Sequence, residues 1–300
     1  MKTRRVKYHI SGLLLALLFI PPAQAQQAPV ATTTHHSLWK VQGKSNAVYL
    51  LGSIHVLKKE NYPLPQVMEA AFTNAAIAAF ETDIGAMEQP DTQQKVLSKA
   101  QLPESETLQR QLSPGVYNSF TNHLQEAGLP VEIFEQFKPS VAAITLAALE
   151  MRKQGLDPEY GLDKHFFDRA GKEGKQIAEL ETLDFQIGLV TDFSKEEGEL
   201  LVKTTLKDLD KLKTELGSMV KAWQTGDADS LEKLLNEASR EAPVIYKRLL
   251  TDRNQRWLPK IEEWLRGDKN VVVIVGAGHL VGSEGVVELL RKKGWKVIQQ

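Results

Sequence analysis

The sequence predicts an α+β fold with α/β character: a central mixed, largely parallel sheet built from both chain ends, under a large helical middle layer or cap. Two observations carry this prediction. An apolar strand ending in Gly-x-x-His is followed by a helix and a strand at residues 46–81, and this unit is repeated as a pseudo-repeat at 271–298. The residues between the units have mainly helical patterns, and strands separated by helices favour parallel pairing.

The two units at the chain ends predict most of the sheet. Alternating apolar and polar residues on either side of Gly43 predict a hairpin at the start of the first unit. A predicted strand at 38–41 precedes the first unit, which has predicted strands at 46–51 and 76–80 and a helix at 66–74. The second unit has a predicted strand at 271–275, a helix at 283–293 and a strand at 295–298.

The middle of the chain is predicted as helices broken by proline and glycine, with one short strand. Residues 141–151 are apolar on most faces, so we expect them to be buried. Ser194 and Glu197 form a capping box that begins a long helix, and Gly226 is its expected C-cap. The predicted elements are helices within 91–152, a helix at 163–170, a strand at 176–180, the long helix, and helices at 230–239 and 242–265, the last interrupted near Pro259.

The first 25 residues have the pattern of a secretory signal peptide, with a basic start and an apolar stretch at 10–20. An A-x-A site predicts cleavage after Ala25 and a periplasmic or secreted protein, the alternative being an uncleaved anchor. Residues 26–37 are predicted as a flexible lead-in. Residues 38–300 are predicted as a single domain, with the helical region 91–266 inserted between the two Gly-x-x-His units.

Composition and missing motifs exclude several function classes. Cleavage removes four basic residues and no acidic ones, so the formal charge changes from −1 to −5, and we expect no nucleic-acid partner. The chain has no cysteine, which excludes thiol nucleophiles, disulfides and thiolate metal ligands. No H-E-x-x-H, G-x-S-x-G or phosphate-loop motif is present, and no further stretch predicts a membrane span.

Four ionisable residues follow the carboxyl ends of predicted strands: His55, Glu81, Glu181 and His279. If these strands are parallel, all four lie along the edge of the sheet where α/β proteins bind ligands. Two imidazoles and a carboxylate can bind a divalent metal such as manganese, cobalt, zinc or iron. The alternative is that each residue is structural, because a strand that leaves the core can end in a polar residue.

Glycines accompany both histidines, and an Arg-Asn pair precedes the second. Gly52, Gly276 and Gly278 would let the backbone turn sharply and approach other groups closely, although they could simply mark turns. Arg253 and Asn254 lie on a predicted helix. They could orient a substrate carboxylate or stabilise an oxyanion, or they could belong to an ordinary helix surface.

Several motifs follow one another in a fixed order: VYLLGSIHVL, FETD, GLDKHFFDRAGKEGKQIAELETLDFQ, DRNQRW and VVVIVGAGHLVGSEGVVELLRKKGWKV. In this order they resemble the TraB/GumN family of bacterial proteins, which includes the pheromone-shutdown protein PrgY and is related to the animal Tiki proteins. The likeness covers nearly all of the predicted mature chain, residues 26–300. The first motif reads Gly-Ser-Ile-His here, where the family often has Gly-Thr-Ile-His.

The resemblance implies an exported, divalent-metal-dependent hydrolase, similar to the Tiki metalloproteases, that acts on a peptide or small molecule. The implied cofactor is manganese, cobalt or zinc. The two Gly-x-x-His motifs of the family correspond to Gly52 with His55 and Gly276 with His279, and its early glutamate corresponds to Glu81.

The implied roles divide between metal ligands and catalytic groups. His55 and His279 hold the ion, and Glu81 either completes the coordination or acts as general base on an activated water. Asn254 or Arg253 stabilises the developing oxyanion. Asp163 and Glu181 are expected to be structural or to face the substrate. If Glu81 is a metal ligand, Glu181 is a candidate general base.

Three alternatives stay open. The first is a metal-free, esterase-like hydrolase with histidine as general base, as in the distantly similar erythromycin esterases. The second is a non-enzymatic periplasmic protein that binds haem, metal or peptide. The third is a family member that has lost activity and has a structural role.

Overall fold

The computed structural model of the chain describes residues 35–300, apart from the side chains of residues 210–215 and 238. The predicted signal peptide and nearly all of the predicted lead-in therefore lie outside the described residues. Ser37, the last lead-in residue, is buried, and its hydroxyl donates to the carbonyl of Trp223 at 2.9 Å. Within residues 35–300, no helix combines the length and the apolar character needed to cross a bilayer.

A single mixed sheet lies at the centre of the fold. Its strands are β1 (Leu38–Gln42), β2 (Ala47–Ser53), β3 (Ile77–Phe80), β4 (Gln176–Glu179), β5 (Val271–Gly276) and β6 (Val297–Gln299). The spatial order is β4-β3-β5-β2-β1-β6. Strand β1 pairs antiparallel with both neighbours, and every other pairing is parallel. The predicted mixed, largely parallel sheet built from both chain ends is confirmed, with β4 added from the middle of the chain.

Helices surround this sheet and fill the middle of the chain. They are α1 (Gln66–Asn74), α2 (Ile84–Met87), α3 (Pro90–Ala100), α4 (Leu108–Gln111), α5 (Pro114–Glu126), α6 (Pro139–Lys153), α7 (Leu162–Lys172), α8 (Leu183–Thr191), α9 (Lys195–Gln224), α10 (Ala228–Glu241), α11 (Pro243–Tyr246), α12 (Asp252–Arg266) and α13 (Val286–Lys292). The predicted helices at 66–74 and 163–170 correspond to α1 and α7.

The buried apolar residues form two clusters. The first lies against the sheet and takes its helical residues mainly from α1, α7, α12 and α13. The second lies within the helical region, where α6 packs along α9, and α6 is buried over most of its surface as predicted. The middle of the chain is therefore more than a layer over the sheet, because it supplies the strand β4 and because α7 and α12 belong to the sheet cluster.

Two local predictions in the helical region have different outcomes. Ser194 and Glu197 form the expected capping box at the start of α9, with reciprocal hydrogen bonds. The predicted interruption near Pro259 is wrong, because α12 continues through this proline. Pro259 and Gln255 are both on the exposed face, so water can hydrate the Gln255 carbonyl that loses its partner. The irregularity lies earlier, in a π-helical turn at Lys247–Thr251.

Gly161 lets α7 approach the segment that follows β2. A Cβ atom at this position would lie 2.2 Å from the carbonyl oxygen of His55, far inside van der Waals contact. The next residue, Leu162, donates its backbone N–H to the carbonyl of Ile54 at 3.1 Å. Glycine therefore brings the first turn of α7, which carries Asp163, directly against the backbone of His55.

We expect Gly161→Ala to lower the free energy of unfolding by about 1–3 kcal/mol, because the added methyl group meets backbone that must move. Gly171→Ala, near the other end of α7, is the control, since a Cβ there has no neighbour within 4 Å among residues 35–300. That change should raise the free energy by about 0.5–1 kcal/mol, as alanine does in a helix. Urea unfolding measures both, and equal effects of the two substitutions would contradict the close approach.

Candidate functional site

The four residues predicted to follow strand ends lie at one edge of the sheet. Because β4, β3, β5 and β2 are adjacent and parallel, their carboxyl ends point in the same direction. Glu181, Glu81, His279 and His55 follow these ends in that order across the sheet. His55 exposes 23% of its side chain, whereas the side chains of Glu81 and His279 are at most 8% exposed. His55 is therefore the member of this group that solvent reaches.

His55 is oriented by Asp163 from the first turn of α7. The Nδ1 atom of His55 lies 2.6 Å from Oδ2 of Asp163. The other carboxylate oxygen of Asp163 accepts a hydrogen bond from the Ser53 hydroxyl at 2.9 Å. This Ser53 hydroxyl donates to the carboxylate rather than to the imidazole, so the three residues do not form a nucleophilic serine triad. The Nε2 atom of His55 faces Glu81.

His279 is oriented by Asn254 from α12. Its Nδ1 atom lies 2.7 Å from Oδ1 of Asn254, and Nδ2 of Asn254 donates to the carbonyl of Glu284 at 2.9 Å. This amide orientation makes Nδ1 of His279 the protonated nitrogen and leaves the lone pair on Nε2. The indole ring of Trp257 packs on the imidazole, with ring centroids 4.4 Å apart.

Glu81 lies between the two imidazoles. Its Oε1 atom is 3.9 Å from Nε2 of His55 and 3.9 Å from Nε2 of His279. The same oxygen accepts the backbone N–H of Gly276 at 2.9 Å, and Oε2 accepts from Arg253. Glu81 therefore joins the ends of β3 and β5 and directs one oxygen toward both histidines.

Arg253 uses all five of its guanidinium N–H groups on protein acceptors. Its side chain is 2% exposed. Nε and Nη2 donate to Glu181, and Nη2 also donates to Glu81. Nη1 donates to the carbonyl of Leu249 and lies 3.0 Å from Nε2 of His279. The oxyanion role stays a prediction for this residue, since it requires at least one of these bonds to break.

Glu181 holds Arg253 in place. Its oxygens also accept from the Trp257 indole N–H at 2.8 Å and from the Gln186 amide. Its own backbone N–H donates to the carbonyl of Glu81 at 2.9 Å. Glu181 is thus surrounded by donors and lies behind the guanidinium rather than beside the two imidazoles.

The pKa values of the site groups are shifted in opposite directions. Burial opposes protonation of His55, but the charges of Asp163 and Glu81 outweigh it and raise its pKa to about 9. Burial and the Arg253 charge hold the pKa of His279 well below its ordinary value. Burial opposes ionisation of Glu81, yet the cations around it hold its pKa well below its usual range. Without a metal ion, His55 is therefore cationic and His279 neutral near pH 7.

The types of donor atom in this site, and the space between them, suit a divalent cation. Two imidazole nitrogens and a carboxylate oxygen face one another, and a second polar group orients each imidazole, as in protein metal sites. A Cβ atom on Gly276 would lie 3.4 Å from Nε2 of His55 and 3.6 Å from both Oε1 of Glu81 and Cδ2 of His279. The three side chains therefore surround a space of about one atom.

The formal charge of the site also favours a cation, whereas the three donor atoms would have to move closer together to bind one ion. Three buried carboxylates, on Glu81, Asp163 and Glu181, face one buried cation, Arg253, which leaves a formal charge of −2 if both imidazoles are neutral. The two distances of 3.9 Å from Oε1 of Glu81 to the Nε2 atoms are longer than those between neighbouring ligand atoms that each lie about 2.1 Å from one ion. Among residues 35–300, no three His, Asp or Glu side chains form a ready-made ligand set. A bound cation would also require Arg253 to leave Nε2 of His279.

The predicted glycines lie where space is limited, and none has a positive φ. A Cβ atom on Gly52 would lie 3.1 Å from Cα of Ala277, so this glycine lets β2 approach the loop after β5. A Cβ atom on Gly278 would lie 3.3 Å from the Leu235 side chain. Their support of the site therefore comes from close approach rather than from an unusual backbone conformation.

Three residues of the site were not identified from the sequence as parts of it: Ser53, Gln186 and Trp257. Each donates a hydrogen bond to Asp163 or Glu181. One sequence signal exists for this network. Arg253 falls on the apolar face of α12 with Trp257, Ile261 and Leu265. An arginine at such a position needs buried acceptors.

Comparison with known proteins supports the sequence resemblance. A sequence model of the TraB/PrgY/gumN family matches residues 37–299. The Escherichia coli (strain K12) protein called Uncharacterized protein YbaP is 27% identical over 81% of this chain and 87% of that protein. An uncharacterized protein of Treponema pallidum (strain Nichols) is 20% identical over 85% of this chain and 80% of that protein.

Another relative has a named activity. The human protein called Metalloprotease TIKI1 is 21% identical over 92% of this chain, which covers 64% of that protein. This chain thus spans less than two thirds of the length of that relative. No solved structure matches the chain.

In the metal-free protein, we expect the imidazole resonances of His55 to titrate with a midpoint near pH 9. The raised pKa stabilises the folded state fully below pH about 6.5, and this contribution is lost as the pH rises through about 9. Asp163→Asn should lower the midpoint, whereas Asp168→Asn in the same helix should leave it unchanged. NMR titration measures all three, and a wild-type midpoint near 6.5 would contradict the charge arrangement.

Arg253→Leu should lower the free energy of unfolding by about 3–5 kcal/mol, because it leaves Glu81 and Glu181 as uncompensated buried charges. Arg266→Leu, in the same helix, is the control, since its side chain is 60% exposed and pairs with Glu262 at the surface. It should cost less than about 1 kcal/mol. Chemical denaturation of both variants without added metal makes the comparison, and equal losses would show that Arg253 is not the central anchor.

Proposed function

The chain belongs to the TraB/PrgY/gumN family, and from this premise we propose that it is a divalent-metal-dependent hydrolase, most simply a peptidase. The main support is the space enclosed by His55, Glu81 and His279, in which two imidazole nitrogens and one carboxylate oxygen face one another. The named activity of the human relative agrees with this proposal. The signal-type start of the sequence supports an exported protein that acts in the periplasm or outside the cell.

We assign His55, His279 and Glu81 as the metal ligands. Asp163 accepts a hydrogen bond from Nδ1–H of His55, and Asn254 accepts one from Nδ1–H of His279, so that both Nε2 lone pairs can face the ion. A bound divalent ion such as manganese, cobalt or zinc supplies Lewis acidity, which lowers the pKa of water and polarises a carbonyl group.

The electrostatics favour Glu81 as a ligand rather than as the general base. Arg253 and the backbone N–H of Gly276 stabilise its charged form, so its pKa stays well below its usual range. A carboxylate of this kind is a weak proton acceptor near pH 7. Glu181 is tied to Arg253, and we propose that this pair positions Glu81 rather than reacting with substrate.

The exposure of the proposed ligands indicates the side from which a substrate would approach. His55 is the only one of the three proposed ligands whose side chain is substantially open, so a scissile carbonyl group would approach from its side. Asn254 is buried and contacts Nδ1 of His279, whereas Nε2 faces Glu81, so we propose that Asn254 positions this imidazole. The oxyanion role of Asn254 or Arg253 stays a prediction.

A metal-free hydrolase is the second candidate, and the His55–Asp163 pair favours it. An imidazole hydrogen-bonded to a carboxylate through Nδ1 is the usual form of a histidine base. The raised pKa of His55 argues against it, because an imidazole with a pKa of about 9 is already protonated near pH 7. Hydrolysis that survives complete chelation would nevertheless decide for this candidate.

We expect the mature protein, residues 26–300, to bind about one equivalent of manganese, cobalt or zinc, as one ligand set implies. His55→Ala and His279→Ala should lose this metal and the cleavage of a fluorescein-labelled casein, while His123→Ala, which removes a histidine of α5, should retain both. Elemental analysis and the cleavage rate measure the two properties, and circular dichroism verifies folding.

The outcomes separate the candidates. Stoichiometric metal in wild type and the control, absent from both folded site variants, supports the metal-dependent hydrolase. Folded wild-type protein that binds none of the three metals would contradict it. Cleavage that persists in the chelated protein and depends on His55 would identify the metal-free hydrolase instead.

A further inference from the structure

An apolar cavity opens onto the candidate site. Its volume is about 170 Å³. Helices α6, α9 and α10, together with the π-helical turn at Lys247–Thr251, contribute most of its wall, and His55, Arg253 and His279 lie at its base. The wall residues used below are Met151, Met219, Trp223, Leu235 and Leu250.

Above its base, the cavity is lined by apolar side chains and by Trp223. The indole N–H of Trp223 already donates to the carbonyl of Gly52 at 2.8 Å. All five guanidinium N–H groups of Arg253 donate within the protein. Among the described residues that line the cavity, charge is confined to the base beside the imidazoles. A charged substituent held against the apolar wall above the base would lose its hydration without compensation.

The size of the cavity limits what it can hold. An apolar cavity of about 150 Å³ in another protein takes up one benzene molecule. The cavity here is therefore large enough for a phenyl ring or a branched aliphatic group. A methyl group would leave most of it empty.

The cavity is continuous with the proposed metal site. Gly278 belongs to the loop after β5, and a Cβ atom there would lie 3.3 Å from Leu235 and 3.9 Å from Leu250. The loop that carries His279 therefore forms part of the cavity wall. A group held in the cavity would have its attachment point beside His55, where a scissile bond must lie.

We propose that this cavity binds one large apolar side chain of the substrate, of leucine, methionine or phenylalanine size, adjacent to the bond that is cleaved. This inference rests on the proposed function only in taking the strand-end site as the place of cleavage. Its consequence is a substrate preference: peptides with such a residue next to the scissile bond bind, and peptides with a charged residue there are rejected.

Methionine methyl groups can report binding without any hydrolysis. Met151 and Met219 line the cavity, whereas Met68 lies in the sheet cluster and Met87 ends α2. In protein with ¹³C-labelled methionine methyl groups, N-acetyl-L-phenylalaninamide should shift the Met151 and Met219 resonances and leave the other two unchanged. The corresponding glutamic acid amide should shift none of the four.

A pair of tryptophan substitutions in α10 tests the location. Leu235→Trp should fill the cavity and abolish the shifts caused by the phenylalanine amide, whereas Asn236→Trp, on the exposed face of the same helix, should preserve them. An unperturbed Met68 resonance shows that each variant is folded. Leu250→Trp replaces Leu235→Trp if that variant is unfolded.

The results separate this inference from the proposed function. Selective shifts with the phenylalanine amide support the cavity even if no cleavage is found. Absence of shifts up to the solubility limit of the amide, or equal shifts with the glutamic acid amide, would overturn the inference even if a metal ion binds and casein is cleaved.

Discussion

The buried guanidinium of Arg253 is the interaction on which the carboxyl edge of the sheet depends. It joins Glu81 after β3, Glu181 after β4 and His279 after β5, and it closes the turn before α12 through the carbonyl of Leu249. A buried charge of this kind is tolerated only when every donor has a partner. Because Arg253 meets that condition with residues from separate elements, it fixes their relative positions.

The same guanidinium gives the site two competing arrangements. In the described structure, Arg253 uses the lone pair of Nε2 of His279, and a proton on His55 offsets part of the excess negative charge. A divalent cation between His55, Glu81 and His279 would take over both roles, displacing the proton and the guanidinium contact. Under our proposal, charge balance couples metal binding to a movement of one buried side chain.

The sequence predicted much of the sheet and the edge on which the site lies. An apolar run that ends in Gly-x-x-His is a local sequence pattern. The strands β2 and β5 and the histidines after them could therefore be identified. Chain order, however, does not reveal that β5 inserts between β2 and β3, which brings His279 to the same part of the sheet edge as His55 and Glu81.

Contacts between distant segments were the part that the sequence did not predict. Asp163 bonds to His55 across 108 residues of chain, and Arg253 bonds to Glu81 across 172. Such pairs depend on how α7 and α12 pack on the sheet, which a single helical pattern does not encode. The π-helical turn before α12 was missed for a related reason, because proline at 259 was the stronger local signal.

Anomalous X-ray diffraction at the cobalt absorption edge, from crystals of the mature protein grown with cobalt(II), would test the metal site most directly. Our account predicts one strong peak bonded to Nε2 of His55, Nε2 of His279 and Oε1 of Glu81, with Arg253 displaced from His279. A structure with no peak at this position, and with Arg253 still in contact with Nε2 of His279, would contradict it.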